Sequence, residues 1–181
     1  MSELNIGANA PDFNLPGTDG NLHKLDDYRN AVKGLVVIFS CNHCPYVIKK
    51  ERRMIELANE YKALGVEFVL ISANDVMNYP ADSFPNMKKR VAEKGYPFPY
   101  LYDESQAVAH SYGALVTPHA FLFDSELKLV YNGALDDNPD NDNRATVHYL
   151  KNALDSLLAG DIAGLKDKLT PPRGCSVKWK R

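Results

Sequence analysis

A chain of 181 residues with 45% apolar content is long enough to bury a substantial core, and a formal net charge of -2 gives it no general attraction for nucleic acid or an anionic membrane. Its three cysteines are odd in number and too few for a disulfide scaffold, so in a reducing compartment they stand as buried thiols, metal ligands or reactive groups. The opening MSELNIGANAPDFNLPG lacks a basic start followed by an apolar run, and no apolar run approaches membrane-spanning length, so a cytoplasmic location is expected.

In chain order, the first 30 residues carry small elements around APDFNLPGTDGNLHKL. LVVIFS, residues 35–40, is an apolar, β-branched run after Gly34 and reads as a buried strand. From Pro45 the pattern turns helical, with Val47, Ile48, Met54, Ile55, Ala58 and Tyr61 on one stripe and Gly65 as the stop. VEFVLIS, residues 66–72, is a second buried strand, followed by the loop NDVMNYPADSF. Met87 to Lys94 read as a helix closed by Gly95. YPFPYLYD is extended, and ESQAVAHSYG is a short helix ending at Gly113. HAFLFD and LKLVYNG flank a turn at Ser125–Glu126 and read as a hairpin. Residues 136–142 hold four aspartates and read as a solvated turn. A long helix with Val147, Leu150, Ala153, Leu154 and Leu157 on one side runs to Gly160. The order predicts an α/β sandwich with a mixed sheet, as one domain over 1–181. The basic tail, 170–181, with Arg173, Lys178, Lys180 and Arg181, reads as a solvated terminus.

The chemistry concentrates in SCNHCPYVIKKE, residues 40–51, where Cys41 and Cys44 stand two residues apart at the junction of a strand and a helix. A helix start leaves N–H groups unpaired and presents partial positive charge, which favours a thiolate and makes it reactive near neutral pH. The spacing lets two thiols cycle between dithiol and disulfide, with Cys41 as the exposed attacking thiol and Cys44 as the enclosed resolving one. An imidazolium at His43 would favour the thiolate further and make the pair more oxidising. CxxC also begins zinc and iron–sulfur sites, but Cys175 and His23, His110, His119 and His148 lie at no readable ligand spacing.

LVVIFSCNHCPYV followed by VTPHAFLFD resembles the thioredoxin-like superfamily. More closely it is similar to the redoxin branch, where peroxiredoxins (AhpC/TSA-type) and small thiol–disulfide reductases sit. GANAPDFNLPGTDGNLHKL resembles that branch's N-terminal hairpin, and the likeness runs from residue 7 to about residue 158. The resemblance implies a three-layer sandwich, a mixed central sheet flanked by helices with an N-terminal hairpin extension. It implies Cys41 as nucleophile, Cys44 as resolver and Pro118 as a cis-proline against the pair, leaving the Thr117 backbone free to bond an extended substrate chain. Pro45, His43, Thr117 and Pro118 are thus the supporting residues. Ser40 stands where thioredoxin has an aromatic residue, and Leu35 where it has a buried acid, so the proton acceptor is unassigned. Glu51, about 10 Å along the helix from Cys44, reads as a surface carboxylate.

The function expected is thiol–disulfide exchange through Cys41–Cys44, with protein or small-molecule disulfides as substrates and an external thiol reductant. A peroxiredoxin-type peroxidase is the alternative; aligning its cysteine with Cys44 puts Cys41 at the threonine position, and no arginine can be assigned to the thiolate. A third class is a copper- or zinc-binding or chaperone protein using Cys41 and Cys44; copper-site assembly proteins of this fold use a longer spacer plus a distant histidine. No organic cofactor and no resident metal are implied, and oligomeric state is not encoded in these patterns. Cys175, in TPPRGCSVKWKR, is a third redox thiol if the tail folds back toward Cys41, or an unpaired thiol anchored by Trp179.

Overall fold

A computed structural model describes residues 4–181; the first three residues of the segment read as leaderless lie outside it. The chain runs β1 Asn14–Pro16, β2 Leu22–Lys24, β3 Gly34–Phe39, α1 Pro45–Lys62, β4 Val66–Ser72, α2 Phe84–Lys94 and β5 Tyr100–Tyr102. It continues through α3 Ala107–Tyr112, β6 Val116–Thr117, β7 His119–Asp124, β8 Leu129–Gly133, α4 Tyr149–Leu158 and β9 Cys175–Ser176. The central sheet has the order β5-β4-β3-β7-β8. β3 pairs parallel with β4 and antiparallel with β7, and β7 and β8 form the expected hairpin, so the sheet is mixed.

The continuous apolar run of β3 follows from its central place. Side chains alternate faces along a strand, so a strand covered on both sides carries apolar residues at every position. Val36 and Ile38 pack with α1, α2 and α4 through Met54, Leu57, Met87 and Leu154. Leu35, Val37 and Phe39 pack on the other face with α3 and the N-terminal β1–β2 hairpin through Tyr112, Phe13 and Leu15. Three layers result, as expected. Among the described residues, no helix is long and apolar enough to cross a membrane.

α1 begins where proline allows. Pro45 takes the first turn and Cys44 is the N-cap, with extended backbone at φ -68° and ψ 122°. Past the helix end, Gly65 takes φ +89°, which side-chain-bearing residues rarely adopt. Its buried face holds Val47, Met54, Leu57, Ala58 and Tyr61, but also Lys50 and Glu51, while Ile48 is 49% exposed. Three departures from the sequence expectation concern charge, and a fourth concerns a helix boundary. Glu51 is buried, not a surface carboxylate: its Oε2 accepts from Arg90 at 2.7 Å and from the Tyr96 hydroxyl at 2.5 Å. Nor is the acidic loop uniformly solvated, because buried Lys50 binds both oxygens of buried Asp136, at 2.7 and 2.8 Å, and Asp142 at 2.6 Å. The basic tail does not hang in solvent either. Its strand β9 pairs antiparallel with β6, and Trp179 stacks on His110 at 4.1 Å between ring centroids. Val147, placed on the last helix, precedes α4, which starts at Tyr149.

Candidate functional site

β3 delivers the chain to Ser40, and Cys41 follows beside Thr117, which ends β6 before a cis Thr117–Pro118 bond, the isomer expected. The Thr117 hydroxyl lies 3.3 Å from the Cys41 sulfur, and the thiol of Cys44 reaches the Thr117 carbonyl at 3.3 Å. Cys41 and Cys44 therefore both meet Thr117, directly before the cis Pro118 that the family resemblance implied, and Pro45 opens the helix after Cys44. The pair is not open, however. Cys41 is 1% exposed and Cys44 is 0% exposed, which corrects the expectation of an exposed Cys41.

The protonation pattern is also the reverse of the expected one. Cys44 stands at the N-cap position of α1, where the neighbouring Cys41 thiol, and to a lesser degree Cys175 and the Val47 amide, lower its pKa against the cost of burial. Together these push it down to about 4, with the Cys41 hydrogen bond the largest cause. Cys41 is pushed up: its proton is engaged by Cys44, it is buried, and it faces the Asp82 carboxylate.

The residue that sequence reasoning missed is Asp82. It is buried in a single 3₁₀ turn, Pro80–Asp82, just before α2. One oxygen accepts the backbone amides of Asn42 at 2.7 Å and His43 at 3.2 Å. The other takes the His43 Nδ1 at 2.6 Å and the Asn74 amide at 2.8 Å. It therefore holds the turn between the two cysteines from beneath. Asn42 adds a bond to the Ala81 carbonyl at 2.9 Å and accepts the Tyr100 hydroxyl at 3.1 Å. His43 is half-buried and stacks on Tyr79 at 5.4 Å. Ligating atoms of Cys41, His43 and Asp82 fall within 4.8 Å of one another. A metal there would compete with His43 and Asn74 for an Asp82 oxygen that is already occupied, so the donor set is better matched to holding the loop. His119, directly after Pro118, is turned away: its Nε2 bonds Asn132 at 2.6 Å and burial pushes it down to about 4.

The edge expected to be free for a substrate is filled. Cys175 lies opposite Thr117 in the β6–β9 pair, Val177 donates to the Leu115 carbonyl at 3.0 Å, and a Cβ on Gly174 would lie 2.0 Å from the Thr117 oxygen. The tail does fold back, bringing Cys175 into contact with Cys44 rather than Cys41. Nothing in local periodicity announces this strand; the signal was a tryptophan and a glycine in an otherwise polar terminus.

Among known proteins, the chain is 30% identical over 132 residues to thiol-disulfide oxidoreductase ResA of Geobacillus kaustophilus, covering 72% of this chain and 71% of that one. It is 30% identical over 124 residues to the ResA of Geobacillus thermodenitrificans, covering 68% of this chain and 66% of the relative. A solved structure of an uncharacterized conserved protein from Geobacillus kaustophilus superposes with a TM-score of 0.91 at 45% identity, covering 99% of this chain and 94% of that one. The model of the AhpC/TSA family matches residues 6–132, spanning the cysteine pair, the cis-proline and the central sheet, and the chain belongs to that family.

Proposed function

We propose that the chain is a thiol–disulfide oxidoreductase whose reaction passes through a Cys41–Cys44 disulfide. The observation that carries this is the meeting of two free thiols at a helix start, both sulfurs 3.3 Å from atoms of Thr117. The curated relatives named thiol-disulfide oxidoreductase support the same reaction class.

In the reductive direction the Cys44 thiolate attacks a substrate disulfide, forming a mixed disulfide and releasing one substrate thiolate. Cys41 then loses its proton and attacks the Cys44 sulfur, forming the intramolecular bridge and releasing the second substrate thiolate. Asp82 and His43, whose ligating atoms lie within 4.8 Å of the Cys41 sulfur, are the groups in reach of that proton. An external dithiol supplies the two electrons that reopen the bridge. Turnover of a model protein disulfide with a dithiol reductant tests the reading: Cys44→Ser is expected to abolish it and Cys41→Ser to slow it sharply. Wild-type turnover in either variant overturns the assignment.

A second reading, peroxide reduction, is favoured by one observation: a buried thiol with a lowered pKa at the N-cap position of α1, followed by Pro45. Arg173 lines the crevice beside Tyr46 and Pro118. Peroxide consumption measured beside disulfide turnover separates the two, since a peroxidase keeps its rate for peroxide attack without Cys41.

A further inference from the structure

The pair is enclosed, yet a third sulfur touches it from the outer side. β9 lies on β6 with Cys175 opposite Thr117, the residue whose carbonyl the Cys44 thiol meets at 3.3 Å. Cys175 packs against the buried cluster that holds Cys41 and Cys44, and it lies close enough to Cys44 for each thiol to shift the other. Cys41, Cys44 and Cys175 thus form a chain of contacts with Cys44 in the middle, the two outer links falling on one sulfur. Cys175 is only partly buried, whereas the other two are not exposed.

The placement is built, not incidental. Gly174 lets the backbone pass against the Thr117 carbonyl, where a Cβ would stand at 2.0 Å. Beyond Cys175, Val177 donates to Leu115 at 3.0 Å and Lys178 to the Asn74 side chain at 2.8 Å. Gln106 donates to the Lys178 carbonyl at 2.9 Å and accepts the Lys180 amide at 2.8 Å. This strand occupies the position an extended substrate would take along Thr117, and its cysteine sits where a substrate sulfur would sit.

We propose that Cys175 is a third redox thiol that carries the disulfide from the buried pair to the external dithiol. The inference rests on Cys41–Cys44 being the redox pair. Once that bridge exists, Cys175 gives its proton to solvent and its thiolate attacks the Cys44 sulfur. The Cys44–Cys175 bond forms, the Cys41–Cys44 bond breaks, and Cys41 leaves as a thiolate beside the Thr117 hydroxyl and takes up a proton. No electrons are gained or lost in this step. The external dithiol then attacks the accessible Cys175 sulfur, resolves to its own disulfide, and returns Cys44 and Cys175 to thiols.

The local electrostatics suit this order. In the reduced protein, burial and the neighbouring Cys44 push Cys175 up to about 11, so it stays a bystander. Bridging Cys41 to Cys44 removes the negative charge on Cys44 and leaves Lys178 and the Tyr46 amide, both of which favour the Cys175 thiolate.

The test is disulfide mapping of the full chain after one equivalent of a small-molecule disulfide, with acid quenching and alkylation. Both a Cys41–Cys44 and a Cys44–Cys175 linkage are expected in the wild type, and the Cys44–Cys175 linkage alone in Cys41→Ser. In multiple turnover with a dithiol, Cys175→Ser is expected to slow resetting about tenfold, since reduction then has to reach a buried bridge. Wild-type turnover with no Cys44–Cys175 linkage at any time, a Cys41–Cys175 linkage in its place, or resetting of Cys175→Ser at the wild-type rate would each overturn the relay. Those results leave the redox pair standing. Turnover that survives both Cys41→Ser and Cys44→Ser removes the pair itself.

Discussion

Removing the Asp82 carboxylate is the most informative perturbation of the site, because it acts on the geometry of the cysteine loop without touching a sulfur. Four donors converge on it: the amides of Asn42 and His43, the His43 ring and the Asn74 side chain. In Asp82→Ala the half-buried His43 ring can turn to water, but the Asn42 amide and the Asn74 side chain stay enclosed. Each buried donor left unmatched costs about 1–3 kcal/mol, so the loss is roughly 4 kcal/mol. For a chain of this size that lowers the melting temperature by about 8–16 °C. Asp82→Asn keeps an oxygen for the two backbone amides but sets one NH2 against that of Asn74, so about half the loss is expected. Thermal unfolding under excess dithiol, followed by circular dichroism, measures both variants with the cysteines kept free. A shift under about 2 °C for Asp82→Ala would refute the claim that this carboxylate organises the loop.

Three further outcomes follow from the same contacts. The reduced protein should show thiolate absorbance near 240 nm rising with a midpoint at about 4, and Cys41→Ser should move that midpoint up by removing the largest stabilising hydrogen bond; no step below neutral pH in the wild type would place the thiolate elsewhere. Gly174→Ala drives a Cβ into the Thr117 backbone at 2.0 Å, so β9 should lift, with a loss of about 1–3 kcal/mol and faster alkylation of Cys175; unchanged labelling would mean the strand stays seated. His119, held down to about 4 by burial, cannot take the proton that an unfolded histidine takes near its ordinary 6.5. Stability is therefore complete above pH 6.5 and falls as pH drops toward 4, by up to roughly 3 kcal/mol, and urea titrations of wild type and His119→Gln across that window should diverge.

Much of this architecture was written in local pattern. LVVIFS could only be a strand covered on both faces, and the ends of the main helices coincide with glycines at positive φ, Gly65, Gly95, Gly113 and Gly160. The two cysteines declared themselves by type and spacing, whereas Thr117 and Pro118 emerged only through the family resemblance. Lys50 and Glu51 were legible but unread: counted from Val47 toward Met54 they fall at the same helical spacing as the apolar stripe, which marks them as buried charges that need partners. Asp82 was not legible, because nothing in NDVMNYPADSF separates an acid that will lie under a loop some forty residues earlier from one that faces water. The tail was the largest omission, since a two-residue strand has no periodicity and its meaning lies wholly in what it pairs with.

The seated tail also bears on how disulfides reach the pair. A substrate strand hydrogen-bonding along Thr117 must first displace β9 and the contacts that follow it. Those are the bonds from Val177 to Leu115 and from Lys178 to Asn74, the bond from Asp75 to the Lys178 carbonyl, the two through Gln106, and the stack of Trp179 on His110. At a net 0.5–1.5 kcal/mol for each hydrogen bond and about 1 kcal/mol for the stack, displacement costs roughly 3–8 kcal/mol. That lowers the affinity of a competing strand by about two to six orders of magnitude. Exchange at the Cys175 sulfur leaves every one of these contacts in place. The lower-energy route for resetting an otherwise closed site therefore runs through the cysteine that the tail already holds beside Cys44, and a small dithiol that needs no strand pairing is the reductant that route admits most readily.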